Sequence, residues 1–319
     1  MYKTICVAVL SLAMMSDVSA NAQGSGSDIY TKPDTVKLKD GRQIALYCSG
    51  EGSPTIILDS GLGMPAAVWD KVQASLSLKT RTCSYDRAGY GASDPGPFPR
   101  DAEHNAADLH EVVSYLKSDG PVVLVGHSAA GYTLQLYTDL HRSEVGGMVF
   151  VDPSIDGNLA PLRKASPTWS KNYDQQNVII GKCILAAAEG RMTPDNSIYK
   201  ECGSPPPGSP FLKARLAQTV LSEQDSLDAS SAQVLKRRVS YGKLPLIVLT
   251  AGAQSSSPDT VPAAEIKAMQ TVGYDSHERL SKLSTIGEHR VVPEATHVIQ
   301  QSKPEAVVKA VIDVVEQMK

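Results

Sequence analysis

The chain has 319 residues, a formal net charge of −3 and 42% hydrophobic residues, which is an ordinary composition for a globular protein. No run of lysines and arginines stands out, so the charge pattern gives no reason to expect a nucleic-acid partner. Aromatic residues make up 5% of the chain, which argues against a large aromatic platform for polymeric substrates.

The first 22 residues have the pattern of a secretory signal peptide. Lys3 precedes an apolar run over residues 5–15, and the small residues Ala20 and Ala22 follow it. The run is too short to cross a bilayer, and no second apolar segment is long enough to do so. We therefore exclude residues 1–22 from the fold, and expect a secreted or periplasmic mature protein without a membrane span.

The remaining residues alternate between short apolar runs, which predict strands, and apolar residues at helical spacing, which predict helices. Asp40-Gly41 between the first two strands is a hairpin signal. Strands are predicted at 35–38, 43–47, 55–58, 82–85, 122–125, 147–151, 246–249 and 289–292; helices are predicted at 66–78, at 107–116, after residue 131 and from Pro304 onward. This alternation indicates a mostly parallel sheet covered by helices on both faces.

The alternation stops between residues 154 and 243. This segment is rich in Ser, Pro and charged residues, and it has helical stretches near 212–221 and 232–238. We interpret it as a helical cap inserted into the core, which then consists of residues 23–153 and 244–319. A structureless linker is the alternative, but the length of the segment argues against it.

Four cysteines remain after residue 22. Cys48 and Cys83 lie in predicted strands, whereas Cys183 and Cys202 bracket one polar stretch of the cap. An even number of cysteines in an exported protein is consistent with disulfides, and these positions favour the pairs 48–83 and 183–202. No Cys-x-x-Cys spacing or paired histidines accompany them, so no metal site is predicted.

The stretch Gly126-His127-Ser128-Ala129-Ala130-Gly131 follows a buried strand and precedes a helix. A serine at such a bend has its hydroxyl exposed at the carboxyl end of the sheet, as in a nucleophile elbow. The usual pattern is Gly-x-Ser-x-Gly, and here Ala130 occupies the last position, with Gly131 one residue later. Taken alone, a Gly/Ser turn without a chemical role fits the stretch equally well.

Three further motifs occur in a fixed order around this bend: Leu-Asp-Ser-Gly-Leu-Gly at 58–63, Tyr-Asp-Arg-Ala-Gly-Tyr-Gly-Ala-Ser-Asp at 85–94, and Ala-Thr-His at 295–297 before the Pro304 helix. Together with the bend they resemble the α/β-hydrolase family, in a member with a serine nucleophile and a cap domain. The resemblance implies an eight-stranded, mostly parallel sheet with helices on both faces and a helical cap after the sixth strand.

The resemblance also implies roles for particular residues. Ser128 would be the nucleophile, and His297 the base that takes its proton. The backbone N–H groups of Leu62 and Ala129 would form the oxyanion hole. Many members have His-Gly where this chain has Ser60-Gly61, but main-chain donors do not depend on that side chain. Gly61 and Gly63 fit a loop with unusual backbone angles.

The sequence offers several aspartates for the acid of the triad. Many relatives carry it shortly after the seventh strand, where Asp259 is the nearest carboxylate. Asp152, at the end of the sixth strand, matches an alternative position, and we favour it over Asp259, with Asp156 as a third choice. A capping or turn role for Asp152 beside Pro153 fits almost as well. Asp86 and Asp94, in the glycine-rich motif, are expected to be structural.

The other histidines are interpreted without a catalytic role. Helical or surface positions account for His104, His110, His141, His277 and His289, and His127 is expected to point away from Ser128.

We therefore expect an exported serine hydrolase that cleaves a small carboxylic ester through an acyl-enzyme, without a cofactor. Serine at the bend argues against dehalogenase and epoxide hydrolase activity, because relatives with those activities use aspartate there. An exopeptidase or amidase of the same fold and a catalytically silent binding protein are the alternatives. The substrate itself and the oligomeric state stay open. Aromatic residues of the cap and its border either line a pocket or pack against the core: Trp169, Tyr173, Tyr199, Phe211 and Tyr241.

Overall fold

A computed structural model describes residues 28–205, 214–253 and 261–319. The predicted signal peptide at 1–22, Phe211 and Asp259 lie outside these ranges. Within them, the chain forms one eight-stranded sheet with helices on both faces, so the predicted fold class is confirmed.

The strands are β1 (Asp34–Lys37), β2 (Gln43–Ser49), β3 (Ile56–Asp59), β4 (Thr82–Tyr85), β5 (Val122–His127), β6 (Val145–Val151), β7 (Leu246–Ala251) and β8 (Glu288–Val292). The core helices are α1 (Asp70–Leu76), α2 (Ala102–Leu116), α3 (Ala130–Leu140), α9 (Ala263–Ser281), α10 (Ile299–Ser302) and α11 (Pro304–Gln317). Between β6 and β7 lie α4 (Leu159–Ala165), α5 (Pro167–Ala188), α6 (Ser197–Glu201), α7 (Ala214–Asp225) and α8 (Leu227–Arg237). Short 3₁₀ helices occupy Asp28–Thr31, Ala66–Trp69 and Arg142–Glu144.

The strand order is β1-β2-β4-β3-β5-β6-β7-β8. The hairpin strands β1 and β2 pair antiparallel, and β2 also pairs antiparallel with β4. All pairs from β4 across to β8 are parallel. Because parallel strands end at the same edge, the residues that follow β3, β5, β6 and β8 are brought together there.

Strand β5 is buried on both faces, which explains its continuous apolar sequence. Val122 and Leu124 pack against the α2 and α3 side, in the same cluster as Leu109. Val123 and Val125 point to the opposite face, where the apolar stripes of α1 and α11 cover the sheet. Both faces of β5 are thus held by helices, so the bend that follows it starts from a rigid strand.

The inserted segment, residues 154–243, packs over the core through several of its helices. Helix α8 contacts α2 and α3, α4 contacts α9, and α5 contacts α7. A disulfide joins Cys183 of α5 to Cys202 at the end of α6, and another joins Cys48 to Cys83 on the paired strands β2 and β4. In the described ranges, no helix has the length and apolar character needed to cross a bilayer.

Candidate active site

Ser128 lies in a tight bend between β5 and α3, in a left-handed conformation with a φ of 51°. This conformation is unfavourable for a residue with a Cβ, so its surroundings must hold it in place. The backbone N–H of Ser128 donates to the Val151 carbonyl (3.1 Å), and the Ser128 carbonyl accepts from Ser154 (2.8 Å) and Gly131 (2.9 Å). Both backbone polar groups of Ser128 are therefore hydrogen-bonded to residues at or just after the end of β6.

Close neighbours explain why the residues around Ser128 are small. A Cβ on Gly126 would come within 2.6 Å of Leu134 Cδ2, and one on Gly131 would collide with the Ser154 carbonyl. Ala130 is buried without such a conflict, which explains why alanine is tolerated at the last position of the motif. The glycine that this bend requires on its carboxyl side is therefore Gly131.

The structure brings together the side chains of Ser128, His297 and Asp152 from three separate segments. Ser128 Oγ lies 3.0 Å from His297 Nε2, and His297 Nδ1 lies 2.6 Å from Asp152 Oδ2. The other carboxylate oxygen of Asp152 accepts from the Ala251 N–H (3.0 Å). This chain of hydrogen bonds can carry a proton from the hydroxyl to an imidazole whose opposite nitrogen is fixed by a carboxylate.

The electrostatics of the pair fit that role. Desolvation opposes the charge on each group, but the mutual hydrogen bond and charge attraction outweigh it. The pKa of Asp152 is lowered to about 2, and the pKa of His297 is raised above its ordinary value. Asp152 therefore stays ionised at neutral pH and stabilises the imidazolium that forms when His297 accepts a proton.

The loop after β3 lies directly against this bend. A Cβ on Gly61 would come within 2.6 Å of His127 Nδ1 and 3.1 Å of Ser128 Cβ. Gly61 is therefore required for close approach and does not have a positive φ; Gly63, with a φ of 77°, supplies the unusual backbone angle. In the described part of the chain, the backbone N–H groups of Leu62 and Ala129 form no hydrogen bond and stay available to an oxyanion.

A buried arginine holds the carbonyl groups of this loop. Arg87 Nη1 donates to the Ser60 carbonyl and to Asp59 Oδ1 (3.1 Å), and Nη2 donates to the Gly61 carbonyl (3.0 Å). The Gly61 carbonyl and the Leu62 N–H belong to the same peptide unit. Because a planar guanidinium fixes the direction of its donors, Arg87 fixes the orientation of that peptide.

The charge of Arg87 is balanced by a carboxylate from the inserted segment. Glu223, on α7, accepts from Arg87 Nε and Nη2 (both 3.0 Å) and from the Tyr90 hydroxyl (2.6 Å). Arg87 and Glu223 are 4% and 5% exposed, so the pair is screened from water. Helix α7 also contacts the glycine-rich loop at Gly89, where a Cβ would collide with Thr219. The inserted segment thus takes part directly in the support of the loop at 60–63.

His127 has a role that the sequence did not indicate. Its side chain is buried and does not bond to Ser128, but its Nε2 lies 3.0 Å from the His297 carbonyl. Burial and the neighbouring His297 lower the pKa of His127 to about 3, so its ring is neutral. Because a carbonyl only accepts, the proton must reside on Nε2, and His127 anchors the backbone of the residue opposite the serine.

The interpretation of His277 and His289 as surface residues is wrong. Both side chains are buried. The Thr250 hydroxyl lies within hydrogen-bond distance of a ring nitrogen of each, 2.6 Å from His277 Nδ1 and 2.7 Å from His289 Nε2. His277 Nε2 also donates to the Pro153 carbonyl (2.9 Å), next to Asp152. The two histidines are brought inward because α9 folds back over β7 and β8, a tertiary contact that the sequence pattern does not contain.

Other predicted residues have structural partners. Asp156 is buried in an ion pair with Arg238, whereas His297 Nδ1 is paired with Asp152. Asp86 accepts from the Tyr47 hydroxyl (2.8 Å) and from the backbone N–H groups of Ala66 and Ala92 (2.8 and 3.0 Å). Asp94 accepts from the Gln43 N–H (2.8 Å).

The aromatic residues of the inserted segment and its border mostly pack. Trp169 and Tyr173 form a tilted pair with ring centres 5.1 Å apart. The Tyr199 hydroxyl donates to the Pro205 carbonyl (2.7 Å), and Tyr241 is part of the main hydrophobic core. These contacts agree with the packing interpretation for those four residues.

A family model described as "Alpha/beta hydrolase family" matches residues 56–310. This range covers most of the chain, including all three residues of the hydrogen-bonded chain from Ser128 to Asp152. The chain belongs to the alpha/beta hydrolase family, and the prediction of a hydrolase is confirmed.

Individual relatives are distant. A probable transporter, efuK, of Hormonema carpetanum is 32% identical over 109 residues, which are 33% of this chain and 16% of that protein. The uncharacterized protein YqjL of Bacillus subtilis is 22% identical over 83% of this chain and 85% of its own length. A thermophilic esterase from Thermogutta terrifontis has a similar structure, with a TM-score of 0.55 and 20% identity over 90% of this chain and 99% of the esterase. At this identity the structural likeness shows the fold alone.

Proposed function

We propose that this protein is an exported serine hydrolase that cleaves small carboxylic esters through an acyl-enzyme. The observation that carries the proposal is the continuous chain of contacts from Ser128 Oγ to His297 Nε2 (3.0 Å) and from His297 Nδ1 to Asp152 Oδ2 (2.6 Å). Export rests on the sequence pattern of residues 1–22.

In the first half of the reaction, His297 takes the hydroxyl proton as Ser128 Oγ attacks the ester carbonyl carbon. The carbonyl oxygen becomes an oxyanion, which the N–H groups of Leu62 and Ala129 stabilise. When the tetrahedral intermediate collapses, the bond to the alkoxy group breaks and His297 returns the proton to the leaving alcohol. Ser128 then carries the acyl group.

In the second half, water replaces the alcohol. His297 removes a proton from a water molecule, which attacks the acyl carbonyl carbon and forms a second oxyanion in the same hole. Collapse of this intermediate releases the carboxylic acid and returns the proton to Ser128 Oγ. Asp152 remains ionised throughout and holds the imidazole in the tautomer with its proton on Nδ1.

Two features favour a small acyl group. Helix α8 of the inserted segment contacts α3, and Tyr132, only four residues after Ser128, is buried. Helix α7 closes over the glycine-rich loop through Thr219 and Glu223. An exopeptidase would need a free charged anchor in the inserted segment, and the buried carboxylate of Glu223 is already paired with Arg87. Glu223 therefore offers no anchor for a charged substrate terminus, and we propose the ester reaction.

The test uses the purified mature protein and a short-chain nitrophenyl ester. Wild-type protein should hydrolyse the ester and form a covalent adduct with a fluorophosphonate at Ser128, identified by peptide mass mapping. Ser128→Ala should lose labelling and reduce kcat by roughly 10⁴-fold or more. Ser154→Ala serves as the matched control, because that serine lies beside the bend and contributes a backbone contact only.

Retained turnover in Ser128→Ala would contradict the assigned nucleophile. A folded wild-type protein that neither labels nor hydrolyses any acyl ester, lactone or aminoacyl amide would favour the catalytically silent alternative. Faster turnover of aminoacyl amides than of esters would favour the amidase.

A further inference from the structure

Two histidines and a glutamate meet at the edge of the sheet opposite to Ser128. His110 lies on α2, His141 directly follows α3, and Glu144 ends the 3₁₀ helix before β6. Asp152 follows the other end of β6, which has seven residues and a length of roughly 23 Å at about 3.3 Å per residue. The cluster is therefore separate from the serine site.

The side chains of this cluster face one another across a gap. The imidazole rings of His110 and His141 are stacked, with ring centres 3.9 Å apart and an interplanar angle of 6°. The carboxylate of Glu144 lies 3.4 Å from His110 Nδ1 and 3.6 Å from His141 Nδ1. Both distances exceed the usual hydrogen-bond range of about 2.7–3.2 Å. Within the described ranges, the buried His110 Nδ1 has no hydrogen-bond partner.

These separations match the spacing of ligands around a tetrahedral zinc ion. Zinc bonds to imidazole nitrogen and carboxylate oxygen of about 2.0–2.1 Å place neighbouring ligand atoms roughly 3.3 Å apart. The three ligand atoms of the cluster all lie within 4.8 Å of one another. A metal–nitrogen bond lies in the plane of its imidazole ring, and the two rings are parallel, so one ring turns out of the stack when both nitrogens face one ion. Two imidazoles and one carboxylate are ligands that zinc commonly takes.

The surroundings also favour a cation. The Tyr137 hydroxyl donates to Glu144 Oε2 and holds the carboxylate in place, as outer hydrogen bonds do for metal ligands. His141 is the carboxyl-terminal cap of α3, where the helix dipole attracts positive charge. The nearby Arg142 guanidinium donates to the Val145 and Tyr241 carbonyls and is thereby occupied elsewhere.

We propose that His110, His141 and Glu144 bind a zinc ion, with water as the fourth ligand. Each side chain is about one third exposed, at 31%, 28% and 34%, so solvent can reach the open position. The ion links α2 to the segment between α3 and β6. The ion takes no part in the serine chemistry, because its ligands lie at the opposite end of β6 from Asp152.

The test is calorimetric titration of EDTA-treated, dialysed mature protein with zinc sulfate. It is performed in a His297→Ala background, which removes the imidazole of the serine site as a competing ligand. We expect one zinc ion per chain and an upward shift of Tm with zinc, since a ligand that binds only the folded state stabilises it. X-ray absorption should give two imidazole nitrogens and at least one oxygen.

Variants of the cluster make the test specific. His141→Ala and Glu144→Gln should each weaken zinc binding by more than roughly 100-fold and abolish the Tm shift. Tyr137→Phe, which retains all three ligands, should weaken binding by about 10-fold. His104→Ala is the matched control, because it removes a partly exposed histidine from the same helix, and it should bind zinc like the background protein.

Zinc binding that is absent, or that persists unchanged in both His141→Ala and Glu144→Gln, would overturn the proposal. If His141→Ala fails to fold, Glu144→Gln and Tyr137→Phe decide the outcome alone. Ester hydrolysis by the wild-type protein is not used as a readout, so failure of the zinc site and failure of the serine hydrolase are separate results.

Discussion

Two clusters of charged residues lie side by side at the carboxyl edge of the sheet, and both start from an aspartate at a strand end. Asp152 follows β6 and pairs with His297, whose side chain is 44% exposed. Asp59 ends β3 and pairs with Arg87, and both of these side chains are almost fully buried. The first cluster can exchange a proton with a substrate, whereas the second is cut off from water and keeps its guanidinium charged.

This difference in exposure indicates a separate function for each cluster. The Asp152 pair raises the pKa of His297 above its ordinary value, and an imidazole can take up and release a proton, so this pair can serve as an acid-base relay. An arginine does not deprotonate in proteins, so Arg87 can only orient what it contacts, which here includes the carbonyls of Ser60 and Gly61. We infer that one cluster performs the chemistry and the other positions the oxyanion loop.

The largest expected effect comes from the acid itself. Asp152→Asn should reduce kcat by roughly 10⁴-fold with little change in stability, because an amide at this position favours the wrong imidazole tautomer. Asp259→Asn, measured in parallel, should leave kcat nearly unchanged. The measurement is steady-state hydrolysis of a nitrophenyl ester together with urea unfolding. A large loss in Asp259→Asn and a small one in Asp152→Asn would reverse our assignment of the acid.

The buried cluster should respond mainly through stability. Glu223→Gln removes the carboxylate charge that balances Arg87, and breaking a buried pair costs about 3–5 kcal/mol in the free energy of unfolding. If Arg87 then releases the loop, kcat should fall by up to roughly 10²-fold, the cost of one oxyanion donor, while KM changes little.

Glu294→Gln is the control for this substitution. Its side chain is 84% exposed and pairs with Lys303, so the change should cost less than about 1 kcal/mol. Equal losses of stability in Glu223→Gln and Glu294→Gln would mean that the Arg87 pair is not the support that we infer. A loss of stability with an unchanged kcat would show that the pair secures the inserted segment without orienting the loop.

The disulfide of the inserted segment should contribute less to the free energy of unfolding than the upper estimate for the Arg87–Glu223 pair. Cys183 and Cys202 close a loop of 19 residues, for which the chain-entropy model gives about 3 kcal/mol. The double variant Cys183→Ala/Cys202→Ala should lower the urea midpoint by a corresponding amount. Fluorophosphonate labelling of Ser128 should persist, because neither cysteine contacts the serine bend. An unchanged midpoint would assign the stability of this segment to its helix packing.

The smallest effect is a shift in the pH profile. His297 acts as a base only when neutral, so kcat/KM should fall as the pH drops through its pKa, which the Asp152 pair raises above the ordinary value near 6.5. The residual activity of Asp152→Asn should show this inflection at lower pH, because the stabilising charge is gone. Asp59→Asn should leave the inflection in place, since its partner is Arg87. A shift in the second variant would show that the two clusters are coupled.

The sequence by itself was sufficient for the fold class and the order of the strands along the chain. It also selected Ser128 and His297, which the structure brings within hydrogen-bond distance of each other. These depend on local patterns: a short apolar run before a small-residue bend, and motifs in a fixed order. It also paired the four cysteines as the structure has them. Two of them lie in predicted strands, and the other two, Cys183 and Cys202, bracket one polar segment. Choosing Asp152 over Asp259 was possible only as a preference, since both follow predicted strands.

Only the tertiary structure decided which distant groups meet. Glu223 lies 136 residues from Arg87, and His127 lies 170 residues from the carbonyl that it holds. The sequence neighbours of His277 and His289 are mostly polar, which is typical of exposed segments, and both side chains are nevertheless buried. Hydrogen bonds of this kind depend on how helices pack over the sheet, and a residue's local sequence contains no information about partners that folding brings to it from elsewhere.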